Sequence, residues 1–204
     1  MMIKTFLLSA LCGGMLFSCS QVNETAVSDK AEPETESEKD QLLRTGSEIL
    51  ALLKEHNYAR LSDYIDPHKG LLFSPYAYID TTHNVILSSG ELVETARIDR
   101  KLFWGMHDGS GDSINLTLRE YGKAFIYTDH FIDAELVQIN KSAAKGNMIN
   151  NIAAVFGDCS WIEYYFPGHE AKYEGMDWSA LRLVFRKNGE KLYLVAIVHD
   201  QWTV

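Results

Sequence analysis

Residues 180–202 read ALRLVFRKNGEKLYLVAIVHDQW, and their reading decides the fold. Two runs rich in Leu, Val, Phe, Tyr and Ile flank Lys187-Asn188-Gly189-Glu190. Asn-Gly tolerates the positive φ of a tight turn, so the stretch predicts a β-hairpin of two long antiparallel strands. At strand spacing Tyr193, Val195, Ile197, His199 and Gln201 share one face, and Leu194, Ala196, Val198, Asp200 and Trp202 share the other. Both faces are apolar through the middle, which predicts that one packs on helices and the other lines a cavity or an interface. His199, Asp200 and Gln201 then fall at the rim.

Working back along the chain, residues 152–166 carry the same β-branched and aromatic chemistry and read as a further strand. Before them the period becomes helical. In LLRTGSEILALLKEH, Leu42, Leu43, Ile49, Leu50, Leu52 and Leu53 make one apolar stripe interrupted by Gly46, and YARLSDYI continues as a short helix stopped before Pro67. LLFSPYAYI reads as extended, with Pro75 confining it to an edge or a bulge. Ser88 with Glu91, and Thr117 with Glu120, are capping-box pairs that open helices at ELVETARIDRKLFW and LTLREYGKAFIY. Helices early and a long antiparallel sheet late predict an α+β domain in which N-terminal helices pack on a curved sheet.

Composition narrows the function classes. The chain has 204 residues, 46% hydrophobic and 23% charged, the balance of an ordinary folded domain. With 19 Lys and Arg against 28 Asp and Glu it has no basic field to hold a phosphate backbone, so nucleic acid is not an expected partner. Residues 1–18 hold Lys4, a short apolar run and small residues, the pattern of an export signal. Leu16-Phe17-Ser18-Cys19 resembles the bacterial lipobox, in which the cysteine takes a diacylglyceryl group and becomes the new N-terminus. Residues 19–41 are acidic and lack aromatics, which predicts a tether. Residues 42–204 form a single domain. The expected location is therefore the cell envelope, anchored to a membrane through lipid on Cys19, in the outer membrane, on its periplasmic or surface face, if the host has one.

The element order resembles the nuclear transport factor 2-like (cystatin-like) fold. FSPYAY at 73–78, WG and DGSGD within 104–112, EY at Glu120, DW at Asp177, LRLVF and the terminal IVHDQWT resemble an uncharacterised family of bacterial secreted or lipidated proteins. The resemblance covers nearly the whole domain. It implies a fold and leaves the activity open, because this fold hosts isomerases, dehydratases, binding modules and assembly domains.

Local catalytic signatures are missing. The seven histidines include no pair at metalloprotease spacing, and the chain has no G-x-S-x-G, no P-loop and no G-x-G-x-x-G after a strand. DGSGD fails the EF-hand test at its sixth position, Ser113, and its twelfth, Arg119, and reads as a turn. No metal, cofactor or catalytic residue is assigned. Cys159, in GDCSWIEYYF, reads as a small buried thiol with no basic neighbour in sequence.

The site candidates lie on the strands. Glu163 and Arg182 fit a cross-strand ion pair on a solvent face. If that face is concave and closed, Glu163, Arg182 and His199 instead become polar anchors among Tyr76, Trp104, Tyr165 and Trp202, the usual form of a small-ligand pocket. The expected function is non-catalytic binding of a small molecule or an envelope protein, with homodimerisation through the open sheet face compatible with it. The alternative is acid–base chemistry of the isomerase or dehydratase kind with His199 or Glu163 as base. FPGHEAKYEGMDW, between two strands, is long for a hairpin loop, and long loops often carry function.

Overall fold

The structure, a computed structural model, describes residues 36–144, 146 and 148–203. The stretches read as an export signal and a lipobox with Cys19, and most of the acidic segment, lie outside the described residues. Helix α1, Glu38–Lys54, begins inside the segment read as a tether. Ser37 caps it by accepting the Asp40 N–H, and Glu38 and Asp40 place negative charge on its positive end. Helix α2, Tyr58–Leu61, runs into a 3₁₀ turn at Ser62–Tyr64.

Strands β1, Leu71–Ser74, and β2, Val85–Leu87, come next, followed by helix α3, Ser89–Ile98, and strands β3, Lys101–Met106, and β4, Ser113–Thr117. Helix α4, Leu118–Tyr121, continues as a π turn over Gly122–Ile126. Both capping boxes read from the sequence are formed. After β5, Leu136–Ile139, the chain makes one helical turn, α5 at Ile152–Val155, and then β6, Ser160–Phe166, β7, Ser179–Asn188, and β8, Lys191–Gln201.

Six strands form one sheet in the order β2-β1-β8-β7-β6-β5, antiparallel except where β1 meets β8 in parallel. Strands β3 and β4 pair separately. The described residues are thus α+β, with α1 to α4 against one face of a mostly antiparallel sheet and α5 on the other.

Three readings are corrected. β1 is an interior strand, and Pro75 lies just past its end, where no ladder N–H is needed. The stretch KLFW is the start of β3, because Asp99 in the left-handed conformation ends α3. Residues 152–155 are helical, so β6 begins eight residues after the expected start. Strand β5, half-exposed and short, went unread.

Strand β8 holds a finer correction. Val184 pairs with Ala196 but Phe185 pairs with Leu194, so Val195 is an extra residue in β8. A bulge reverses the parity of everything before it. Leu194 therefore joins Ile197 and His199 on the helix face, against Leu181, Leu183 and Phe185, rather than joining Ala196.

The helix face carries the main core, with Ile49, Leu50, Leu53, Leu61 and Leu92 packed on Phe73, Ile162, Leu183 and Ile197. Gly46 has its place in that packing: a Cβ there would lie 2.3 Å from the Tyr164 hydroxyl and 2.5 Å from an Ile162 methyl. The glycine that breaks the apolar stripe is what lets α1 lie close on β6.

The opposite face, expected to line a cavity or an interface, is covered by the chain itself. Ile152, Val155 and Phe156 pack with Ile79 on Leu72, Val184, Ala196 and Val198. Asn151 fixes this cover: its Oδ1 accepts the Ile79 N–H at 2.8 Å and its Nδ2 donates to the Ile79 carbonyl at 3.0 Å.

Candidate functional site

The structure divides the sequence-derived candidates among three places. On the helix face, Trp104 is fully buried, its indole N–H donating to the Leu116 carbonyl at 2.8 Å. It stacks on Tyr121 at 3.9 Å, Tyr121 stacks on Phe125, and Phe125 meets both Tyr76 and His199 edge-on at 5.9 Å. Tyr76 is half-buried and accepts the Asp108 N–H at 3.1 Å. These rings pack against one another where the sequence reading put a pocket.

His199, 0% exposed, is locked at both nitrogens. Nδ1 lies 3.1 Å from the Pro75 carbonyl, an acceptor, so Nδ1 carries the hydrogen and donates. Nε2, 3.3 Å from the Thr128 hydroxyl, then accepts. Burial pushes its pKa down to about 4, against the pull of the Pro75 bond and with help from the Arg182 charge. It is a neutral structural imidazole and not a free base.

On the other face Glu163 and Arg182 do form a cross-strand pair, but a buried one: each is 0% exposed, and Arg182 Nε donates to Glu163 Oε2 at 2.7 Å. Arg182 Nη2 donates to Asp200 at 2.8 Å and to the Ser142 hydroxyl at 3.0 Å. Ser142 in turn donates to Glu163 Oε2 at 2.6 Å, and the Ala143 N–H donates to Oε1 at 2.5 Å. Arg182 Nη1 has no partner among the described residues. Two carboxylates share one guanidinium here, and burial pushes the Asp200 pKa up, against the pull of Arg182. Glu163 and His199 thus point to opposite faces and cannot act on one ligand. Tyr165 is on the Glu163 side, half-buried beside Trp178 at 6.1 Å.

The third place is an open cleft of about 560 Å³ at the end of β7 and β8, lined by Thr128, Asp129, His169, Asp177, Ser179 and Trp202 among others. Trp202 is 41% exposed. Asp129 organises the polar wall. Its Oδ2 accepts from His169 Nε2 at 2.5 Å and from the Ser179 hydroxyl at 3.0 Å, and its Oδ1 accepts the His130 N–H at 2.9 Å. In the neutral His169 ring this places the hydrogen on Nε2 and leaves Nδ1 as an acceptor. Asp177 shapes the loop that carries His169, its Oδ2 accepting the N–H groups of His169 and Glu170 at 2.9 Å each. Gly168 stands opposite at φ 130°, where a Cβ would lie 2.7 Å from Asp177 Oδ1. The serine bonds to the carboxylate and not to the imidazole, so this is no Ser-His-Asp nucleophile arrangement.

Of the sequence-derived candidates only Trp202 lines this cleft. His169 and Asp177 lie in the long loop that the sequence flagged by length. Asp129 is forty residues from His169 and carries no local signal. Cys159, half-buried, packs on the covered face, and burial followed by Asp158 pushes its thiol up to about 11, the reverse of nucleophile activation.

No family model and no curated protein matches the chain. Among solved structures it is similar to a Xanthomonas campestris protein named for the calcium/calmodulin-dependent protein kinase II association domain, 10% identical, over 85% of this chain and 94% of that one, with a TM-score of 0.33. It is also similar to a multiply substituted protein named for NTF2, 13% identical, over 80% and 99%, with a TM-score of 0.32. These likenesses are too distant to bear on function.

Two predictions follow from the buried groups. Arg182→Met strands two carboxylates and is expected to cost about 3–5 kcal/mol at pH 7, read by urea denaturation. The penalty shrinks as the pH falls and the carboxyls take up protons, and a cost under about 1 kcal/mol would mean that the pair is not carrying the face. His199 has a folded pKa below its unfolded one, so stability is lost as the pH falls from about 6.5 towards about 4, by roughly 3 kcal/mol. In His199→Phe that part of the pH dependence should vanish; an unchanged stability profile between pH 7 and pH 4 would contradict the assignment.

Proposed function

We propose that this chain is a lipid-anchored protein of the bacterial envelope, of the nuclear transport factor 2-like kind, whose domain binds a small molecule in the cleft at the end of β7 and β8. The observation that carries the reading is the pairing there of an exposed indole, Trp202, with a polar wall built by Asp129 around His169 and Ser179. An aromatic platform next to a few convergent hydrogen-bonding groups is the usual composition of a small-ligand site. Among the described residues no lysine or arginine lines the cleft, which disfavours anions. The ligand class is a neutral or cationic molecule with a flat apolar part for Trp202 and a hydrogen-bond donor for His169 Nδ1.

The anchor rests on the sequence 1–19, with its single early charge, short apolar run and cysteine at the end. Lipid on Cys19 would hold the domain at a membrane, and the acidic segment after it would keep the domain off anionic headgroups.

One observation favours a second reading. The Asp129 carboxylate orients the His169 imidazole with no hydrogen-bond partner at Nδ1 among the described residues, which is how a general base is held. In that reading the base of an acid–base enzyme is His169 and neither His199 nor Glu163, both of which are sealed in the interior.

Native mass spectrometry of the full chain purified from its own envelope fraction tests the binding site. The expected spectrum shows a mass excess that disappears on denaturation and is lost in Trp202→Ala and His169→Ala. A mass excess retained by both variants would place the ligand elsewhere, and turnover that is lost in His169→Ala and Asp129→Asn would favour the enzyme. For the anchor, Cys19→Ser is expected to move the protein from the membrane to the soluble fraction and to abolish incorporation of labelled palmitate; a variant that stays lipid-labelled would contradict it.

A further inference from the structure

Helix α1 ends at Lys54, and two residues on His56 stands at φ 54°, in the left-handed region that non-glycine residues rarely enter. This turn lays the imidazole against Tyr58, with ring centroids 6.1 Å apart and Nδ1 3.5 Å from the hydroxyl. The Tyr58 hydroxyl donates to the Leu118 carbonyl at 3.4 Å, and a Cβ on Gly122 would lie 3.8 Å from His56 Nδ1. His56 is thereby held against the junction of α4 and the π turn.

Two cations stand on that junction. Arg119 and Lys123 are exposed and four positions apart, the spacing that puts helical side chains on one side. Burial lowers the His56 pKa, and the charges of Arg119 and Lys123 lower it further. Neither cation has an ion-pair or hydrogen-bond partner among the described residues. Between α2, α3 and α4 lies a depression of about 260 Å³ lined by His56, Asn57, Tyr58, Arg97 and Arg119 with three apolar residues.

The surrounding acids are occupied. Arg97 takes both oxygens of Glu94, at 2.8 and 2.7 Å, and Glu120 gives its carboxylate to the Thr117 N–H at 2.8 Å. Lys54 and Glu55 precede His56 in the chain, and neither lines the depression. No aspartate or glutamate is among the described residues that line the depression.

We propose that the depression beside His56 binds a small oxyanion of the phosphate class, held by Arg119, with Arg97 on the same lining and His56 as a proton-dependent contact. The site shares no lining residue with the cleft and is independent of the function proposed there. A bound dianion offsets the two cations that disfavour a charged His56, so it raises the His56 pKa. By linkage, protonated His56 binds the anion more tightly, and affinity rises as the pH falls through the pKa of the ring. The oxyanion could arrive as a free phosphate or as the phosphate of a lipid headgroup.

The test follows the His56 ring resonances of the full chain by NMR during titration with inorganic phosphate, and with sulfate, whose charge is constant across the range. The expected result is a saturable shift and a rise of about one unit in the His56 pKa, equivalent to about tenfold tighter binding to the protonated ring. Arg119→Ala should weaken binding about tenfold, as loss of a charge-assisted contact does, and Arg119→Glu should abolish it, while Trp202→Ala leaves it unchanged. Both side chains are exposed, and circular dichroism checks that each variant is folded.

A second arm uses vesicles of phosphatidylglycerol and of phosphatidylcholine. Shifts produced by phosphatidylglycerol vesicles but not by free anions assign the same site to a headgroup. A response that is linear in salt, reproduced by sodium chloride at equal ionic strength and absent with both vesicles, would be ionic screening alone and would overturn the proposal.

Discussion

Arg182 carries a guanidinium at zero exposure in a central strand of the sheet, and the architecture of that whole face follows from it. Removing such a charge from water costs several kcal/mol, which only close partners can offset. Glu163 across β6 and Asp200 across β8 supply two carboxylates, and the connection after β5 supplies Ser142 and Ala143. One side chain thus joins three strands and the segment that covers them. With this face closed by its own chain, its polar groups hold the sheet together and are not presented to a ligand.

The helix face is closed for a different reason. Trp104 enters from the separate β3–β4 pair and stacks on Tyr121, and Phe73, Phe125 and His199 complete an aromatic column on the sheet. Interiors pack to crystal-like density, so a column of this bulk leaves the sheet centre filled. Accessible chemistry is displaced to the margins, where β7 and β8 run out against the loop carrying His169. There Asp129 gathers the imidazole and a serine hydroxyl next to an exposed indole. His199 lies one layer beneath, bonded to Thr128, the neighbour of Asp129 in the chain. The same strand end therefore supports the wall from inside while Trp202 and Gln201 face the cleft.

Much of the fold was legible because it rests on local chemistry. Asn188-Gly189 set the hairpin, Ser88 with Glu91 and Thr117 with Glu120 set two helix starts, and the leucine stripe set α1. The errors fall where local and long-range forces compete. Residues 101–104 continue an apolar pattern past α3 and become β3 only because β4 pairs with them. Residues 152–155 have strand-like composition, yet their work is to cover the second face, for which one helical turn suffices. Val195 reads as one more alternating residue, and nothing local marks it as the bulge.

By itself the sequence determined the α+β class, the hairpin and the helix caps, since each rests on residues near in the chain. Tertiary structure alone decided which groups are sealed and which are open. Parity along β8 depends on a bulge defined by its partner strand, so His199 and Glu163 could be assigned to opposite faces only once the ladder was in place. The cleft depends on Asp129 meeting a histidine forty positions away, a contact that no spacing encodes. Burial and charge pairing are properties of neighbours in space, and the chain order does not state who those neighbours are.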